Sequence, residues 1–211
     1  QSLRPSSSSP NMLNLPSGSK FGKLIKKCFE PIHGYLFVGS DFDSLEDKVN
    51  ALLTKDPNKM KVYTDGYDGH ALRAYSYWPD KMLDIDPTSV TSINSIKQIY
   101  NDLRSKSKAP TFALTYGGSY ITLMKNCGFT EEDAKSIEAN FHKLYVEADQ
   151  WAADLIEKAK TCGYIPMAFG ARIRTPLLKR SVVGTNAKMT YGATKEGRSA
   201  GNAATQSYCV L

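Results

Sequence analysis

The sequence predicts an α+β chain in which helices dominate and short antiparallel strands are few. Long stretches repeat apolar residues every three or four positions, the period of a helix face, whereas only brief runs such as Tyr35-Leu36-Phe37-Val38 have the aromatic and β-branched make-up of a strand. The 211 residues are 41% hydrophobic and 23% charged, with no apolar run of eighteen, which describes one globular domain or a large piece of one. A membrane span and a wholly disordered chain are excluded.

The first nineteen residues are rich in serine, proline and asparagine, and Ser6 to Ser9 taken alone reads as a linker. Lys20-Phe21-Gly22-Lys23-Leu24-Ile25-Lys26-Lys27 follows, an amphipathic edge that is either solvated or phosphate-contacting. Tyr35 to Val38 is expected as a buried strand. It leads to Asp41 and then to Leu45, Val49, Leu52 and Leu53 at helical spacing, with Asp43 or Ser44 available as N-cap. Asp41 thus falls at a strand end beside a helix start, where a carboxylate is held rigidly toward solvent or a metal.

A loop-rich stretch with Asp65-Gly66 and Asp68-Gly69 is expected next. Helices are predicted over about Thr88 to Arg104 and Lys106 to Tyr116, the second tolerating Pro110 in its first turn and stopping at Gly117-Gly118. The clearest helix runs from Glu131 to Lys160, opened by Thr130 with Asp133 and closed by Gly163; its aromatic stripe reads as core. Tyr164 to Pro176 reads as a hairpin turning at Gly170, and a last helix starts near Lys195.

Lysine and arginine outnumber acids 27 to 21, so a phosphate-rich partner is favoured while the surface stays mixed. Cys28, Cys127, Cys162 and Cys209 include no C-x-x-C pair, and three histidines do not complete a zinc set. Gln1 is not a methionine, no secretory apolar core follows, and Val210-Leu211 falls amid a helix; the chain therefore reads as an excerpt of a longer intracellular protein.

Two helical stripes and one acidic junction carry chemistry. Arg104, Lys108, Phe112 and Tyr116 lie four apart, and a four-residue step drifts only about 40° around a helix, so they form one slowly winding ridge. Its cations suit phosphates and its aromatics a flat apolar group, the anatomy of a nucleoside triphosphate; a helix with a solvated basic end and buried aromatics would look the same. Arg198, Asn202 and Gln206 repeat the spacing with side chains that hydrogen-bond sugars and base edges, though an ordinary exposed face would too. Asp41 and Glu46 bracket the strand-to-helix junction, where one or two acids plus substrate phosphates complete a magnesium shell. Asp43 and Asp47 compete for that role.

Ser40-Asp41-Phe42-Asp43-Ser44-Leu45-Glu46 resembles motif A of the family A (polymerase I type) DNA polymerases, Asp-Tyr-Ser-x-Ile-Glu. Arg104-x3-Lys108-x3-Phe112-x3-Tyr116-Gly117 is similar to their motif B, and Arg198-x3-Asn202-x3-Gln206 to their template-contacting helix. Arg4-Pro5-Ser6-Ser7-Ser8-Ser9-Pro10-Asn11-Met12-Leu13-Asn14-Leu15-Pro16 resembles the segment that opens their palm. Asp68-Gly69-His70 and the Gly163-Tyr164, Gly170-Ala171-Arg172 and Pro176 set fall in matching order. The variant motif A, with Asp43, Asp47 and Lys48, looks more like a bacteriophage branch.

The resemblance implies a partial palm of short antiparallel strands with a mainly helical fingers subdomain: 1–60 palm with motif A, 61–192 fingers with motif B, and 193–211 the return toward the palm. It implies template-directed addition of deoxynucleoside triphosphates to a primer, with primer-template DNA and replication accessory proteins as partners and a cytoplasmic setting. Asp41, helped by the Phe42 carbonyl, would hold two magnesium ions. Arg104 and Lys108 would grip the triphosphate, Lys108 also donating a proton to pyrophosphate; Glu46 would exclude a ribose 2′-hydroxyl. Phe112 would pack on the sugar, and Tyr116 with Gly117 would bound the nascent pair. Arg4, Asn11, Asn14, Arg198, Asn202 and Gln206 would contact DNA. Gly18 and Ser207 depart from the family pattern, and its motif C, a His-Asp-Glu turn, would lie beyond Leu211, so the 211 residues are expected to be inactive alone. The rival readings are a single-subunit RNA polymerase, which Glu46 opposes, and a non-catalytic nucleic-acid-binding module.

Overall fold

The structure, a computed structural model, describes residues 7–12, 15–16, 20–181 and 190–209. Arg4 and Asn14 lie outside the described residues, as does Gly18. Helix α1 (Lys20–Lys27) is followed by irregular chain up to α2 (Leu45–Thr54). Here the expected strand is overturned. Tyr35, Leu36, Phe37 and Val38 form no ladder and are 71% to 93% exposed. Strand composition is not sufficient: a strand needs a hydrogen-bonded neighbour and a face to bury against, and among the described residues the one sheet lies elsewhere.

The stretch read as loop-rich holds two helices, α3 (Pro57–Thr64) and α4 (Gly69–Tyr77). Both start at an aspartate: Asp56 accepts from the amides of Asn58 and Lys59, and Asp68 from those of His70 and Ala71. An Asp-Gly pair that reads as a turn is at 68–69 an N-cap and a first helical residue.

Helices α5 (Val90–Ile99), α6 (Asn101–Lys106) and α7 (Lys108–Thr115) replace the two expected ones. Pro110 sits in the first turn of α7, as anticipated. It has no N–H for the Lys106 carbonyl, which is where α6 ends, so the break in the hydrogen-bond ladder there follows from the proline, while Ser107 keeps helical dihedrals. Helix α8 (Tyr120–Cys127) leads to α9 (Glu131–Leu144) and α10 (Val146–Cys162), which together occupy the single long helix expected. They part at Tyr145, at φ −120° and ψ 51°, whose fully buried ring lies below Lys59 Nζ at 4.5 Å. Asp56 Oδ2 accepts the Ala148 amide and so satisfies a donor in the first turn of α10. The caps held: Thr130 accepts from the Asp133 amide, and Gly163 adopts a left-handed turn.

Strands β1 (Tyr164–Pro166) and β2 (Arg172–Arg174) pair antiparallel with Tyr164 opposite Arg174, the hairpin read from sequence. Helices α11 (Pro176–Arg180), α12 (Tyr191–Arg198) and α13 (Ala200–Cys209) complete the described chain. No helix is long and apolar enough to cross a membrane.

Two cores position the site. The larger joins α4, α5, α8 and α9 through residues such as Leu72, Ile93, Ile96, Leu123, Ile137 and Phe141. Each fully buried side chain of that size contributes about 1.5–3 kcal/mol. The second is built from Ala159, Ile165, Leu178, Ala193, Ala200 and Ala204, with Trp151 and Ile156 against it. Its small residues let α13 approach α10 closely. Asn50 Nδ2 donates to Thr205 Oγ1 at 3.2 Å and ties α13 to α2.

Candidate active site

A cleft of about 970 Å³ opens between α2, α4, α7, α10 and α13. Asp41 and Phe42 stand at its edge just before α2, both exposed. Asp41 makes no hydrogen bond or ion pair among the described residues, so its carboxylate is available to a ligand. Lys108, Phe112, Tyr116 and Gly117 line the same cleft, as do Arg198, Asn202 and Gln206. Positions 41 and 206 are thereby brought to one cavity by packing that neither local segment encodes.

The ridge on α7 is ordered by contacts at its far end. The Phe112 and Tyr116 rings meet at 4.9 Å. The Tyr116 hydroxyl lies 3.0 and 2.9 Å from the two carboxylate oxygens of Glu46. Glu46 is therefore held against the aromatic end of the ridge across the cleft, half-buried, rather than sweeping solvent.

Arg104 is placed differently. Arg104 belongs to α6, whereas Lys108 and Phe112 belong to α7 and Tyr116 caps it, and Arg104 is not part of the cleft lining. Its Nε and Nη2 donate to Asp68 Oδ2 at 3.0 and 2.8 Å. Burial acts against the Asp68 charge, but Arg104 and the Ala71 and His70 amides outweigh it and hold the carboxyl below its ordinary value. Asn11 lies outside the cleft lining too; it is exposed and its Oδ1 accepts from Ser7 at 3.0 Å.

Sequence reasoning missed the floor of the cleft. Asp47 receives Arg73 Nη2 at 2.8 Å, Lys59 Nζ at 3.1 Å and the Tyr63 hydroxyl at 2.7 Å. Arg73 Nε donates to the Tyr145 hydroxyl at 2.7 Å. The side chains of Lys59 and Arg73 are only 4% and 8% exposed. Burial alone would raise the Asp47 pKa; Arg73 and Lys59, then the hydrogen bonds from Tyr63 and Arg73, hold it far below the carboxylate range. The signal that could have found the cluster is Asp47 itself, an acid on the inward side of an amphipathic helix.

His70 was read only as part of a pattern, yet it lines the cleft beside Lys108. Its Nδ1 is buried without a hydrogen-bond partner. Burial, and then the charges of Arg73, Lys108 and Arg104, push its pKa down to about 4, so the ring is neutral at neutral pH. No group of three or more metal-ligating side chains gathers among the described residues. A divalent ion would rest on Asp41, one carbonyl and oxygens brought by a ligand, a set that fits magnesium.

An unpaired carboxylate, a cation and two rings thus line one cleft of ligand size, an arrangement able to receive a polyphosphate that carries a flat ring. The family model for DNA polymerase family A matches residues 2–209, and the chain belongs to that family. Over 200 residues it is 28% identical to the thermostable DNA polymerase I of Thermus filiformis, covering 93% of this chain and 22% of that protein. It is 28% identical to DNA polymerase I of Streptococcus pneumoniae over 178 residues, 83% of this chain and 19% of that one. The chain thus spans about a fifth of the length of these curated relatives. A solved structure described as the POL domain of Pol1 from M. smegmatis in complex with DNA primer-template and dNTP shares the fold, with a TM-score of 0.74 and 23% identity over 99% of this chain and 33% of that one.

Proposed function

We propose that these residues form the nucleotide-selecting part of a template-directed DNA polymerase, which adds deoxynucleoside triphosphates to a primer 3′-hydroxyl with loss of pyrophosphate. One observation carries the reading: Asp41, Glu46, Lys108, Tyr116, Arg198 and Gln206, from three distant segments, line one cleft. Lys108, exposed there, would bind the triphosphate and donate a proton to the departing pyrophosphate. His70, neutral and short of a partner for Nδ1, would gain one in a phosphate-bound protonated form. Phe112 would pack on the sugar, and Tyr116 with Gly117 would bound the new pair. The Glu46 carboxylate, anchored by the Tyr116 hydroxyl, would fill the space a 2′-hydroxyl needs, which disfavours an RNA polymerase.

Arg104 would reach the triphosphate only by leaving Asp68, so nucleotide binding and release of that ion pair would be coupled. Asp41 and the Phe42 carbonyl would hold magnesium; bound there, magnesium supplies Lewis-acid neutralisation of phosphate charge. Arg4, Asn11, Asn14, Arg198, Asn202 and Gln206 would contact primer and template. The 1–60, 61–192 and 193–211 division, a cytoplasmic setting, accessory replication proteins and a bacteriophage branch belong to the same proposal, the last resting on Asp43, Asp47 and Lys48 within and after motif A.

Primer extension by the intact protein tests the reading. Asp41→Ala is expected to lower incorporation by about 10³-fold or more while primer-template affinity persists, since a lost charge-stabilising group of this kind removes about 3–4 kcal/mol or more from the transition state. Full turnover by that variant would remove Asp41 from the chemistry. A nucleic-acid-binding module without catalysis would instead bind DNA in a salt-sensitive manner and extend nothing.

A further inference from the structure

The residue after Glu46 is the centre of a largely buried ionic cluster. Asp47 accepts from Arg73 Nη2, Lys59 Nζ and the Tyr63 hydroxyl, while Arg73 Nε donates to the Tyr145 hydroxyl. Stability alone does not account for these residue types. A buried ion pair exchanged for well-packed apolar residues of similar volume is often neutral or stabilising, whereas its directional bonds can specify one arrangement of the elements that carry it. Here those bonds fix the attitude of α2 toward α4.

Glu46 and Asp47 are consecutive in α2, so their side chains leave the helix about 100° apart and turning one turns the other. Glu46 is joined to the Tyr116 hydroxyl at the end of α7, and Asp47 to Arg73 on α4. A side-chain hydrogen bond taken alone is a swivel, and the second attachment stops it. Helix α4 is in turn joined to the start of α7. Arg73 lies one turn from His70, and the His70 carbonyl accepts from Ser107 Oγ at 3.2 Å, in the residue before Lys108. The contacts close a ring: from Glu46 to Tyr116, back along α7 to Lys108 and Ser107, across to His70, along α4 to Arg73, and home to Asp47. His70 and Lys108 line the cleft at one end of that ring and Glu46 at the other.

In a nucleotide the sugar and the triphosphate are covalently joined. A gate at the sugar therefore discriminates only if its distance from the groups that grip the phosphates is fixed. Resting on the polymerase reading above, we infer that Asp47 and Arg73 are positioning residues for sugar selection, whose ion pair registers the Glu46 gate against the phosphate-gripping side at Lys108 and His70. Their effect passes through Glu46. With the tie cut, a triphosphate would still bind at Lys108, but the Glu46 carboxylate would yield to a 2′-hydroxyl.

The test measures kcat/KM of the intact protein for a deoxynucleotide and for the ribonucleotide of the same base. Asp47→Leu, Lys59→Met, Arg73→Met and Tyr145→Phe introduced together keep the buried volume and should leave the urea midpoint close to that of the unsubstituted protein. Discrimination should nevertheless fall roughly tenfold, through a rise in ribonucleotide kcat/KM rather than a fall in that for the deoxynucleotide. In a Glu46→Ala background the same replacement should change the ratio by less than about twofold, because the gate it positions is gone. Asp47→Glu keeps the charges and lengthens the tie by one methylene, so it should shift the ratio in the same direction and answers the question even if the apolar combination does not fold. Unaltered discrimination in the folded apolar variant, or in Asp47→Glu where that variant does not fold, would overturn the inference while leaving the polymerase reading intact. So would an effect of equal size with and without Glu46. Failure of the unsubstituted protein to extend any primer would overturn the polymerase reading itself.

Discussion

The two sides of the cleft are held in opposite ways. On one, Asp47, Lys59, Arg73 and Tyr145 link α2, α3, α4 and the α9–α10 junction through buried, charge-assisted hydrogen bonds. On the other, Asp41 follows a stretch whose apolar side chains face solvent, Ile32 at 80%, Leu36 at 86% and Val38 at 93% exposure. The side that would select the nucleotide is ordered by contacts within these residues, whereas the carboxylate that would hold metal is supported by almost none. Preorganisation in this molecule is therefore uneven, and the two regions should answer mutation differently.

Apart from the loss of turnover expected for Asp41→Ala, the largest effect should fall on the buried cluster. Asp47→Ala leaves Lys59 and Arg73 buried without their anion and should lower unfolding free energy by about 3 kcal/mol, read from urea denaturation. A change below about 0.5 kcal/mol, the usual effect of a surface substitution, would mean that the pairs do not order this wall. Next is Tyr116→Phe, which removes the hydroxyl that anchors Glu46. Losing that charge-assisted bond, worth about 1.5–3 kcal/mol, should relax discrimination against ribonucleotides by roughly ten- to a hundredfold in single-nucleotide incorporation.

A smaller effect concerns pH. His70 has a folded pKa of about 4 against an ordinary 6.5, so between these values the unfolded chain binds a proton that the folded chain refuses. Its contribution to stability is present above about pH 6.5 and is lost as the pH falls toward 4; Asp47, with its depressed pKa, adds a further loss only below the ordinary carboxylate range. The slope of the urea midpoint between pH 6.5 and 4 should flatten in His70→Gln, and an unchanged slope would place the titration elsewhere. The smallest effect is expected at the opposite side of the comparison. Phe37→Ser, at 71% exposure, should alter the stability of these residues by no more than about 0.5 kcal/mol. A larger loss would show that the stretch before Asp41 is better packed than the structure has it.

What was legible in the sequence follows the same divide. Helix limits set by local chemistry were readable: the Thr130 cap, the Gly163 stop, Pro110 in a first turn and the hairpin from Tyr164. Breaks set by distant partners were not. Periodicity runs through Tyr145 without a fault, yet the helix parts there, where Arg73, seventy-two residues away, holds the hydroxyl of the buried ring. The strand over Tyr35 to Val38 had the right composition and lacked a neighbour. The residues of the cleft were accessible through spacing and through the family resemblance, but the Arg104–Asp68 pair and the Asp47 cluster depend on charges meeting across the fold.

Gly117, just past the end of α7, packs against Arg198 at the end of α12. It has φ +75°, and a side chain begun there would stand 3.5 Å from the Arg198 carbonyl oxygen. That distance is ordinary contact, so a larger residue meets no clash there but would have to adopt a left-handed backbone. The seam between α7 and α12 is thus fixed at this point by backbone handedness rather than by lack of room.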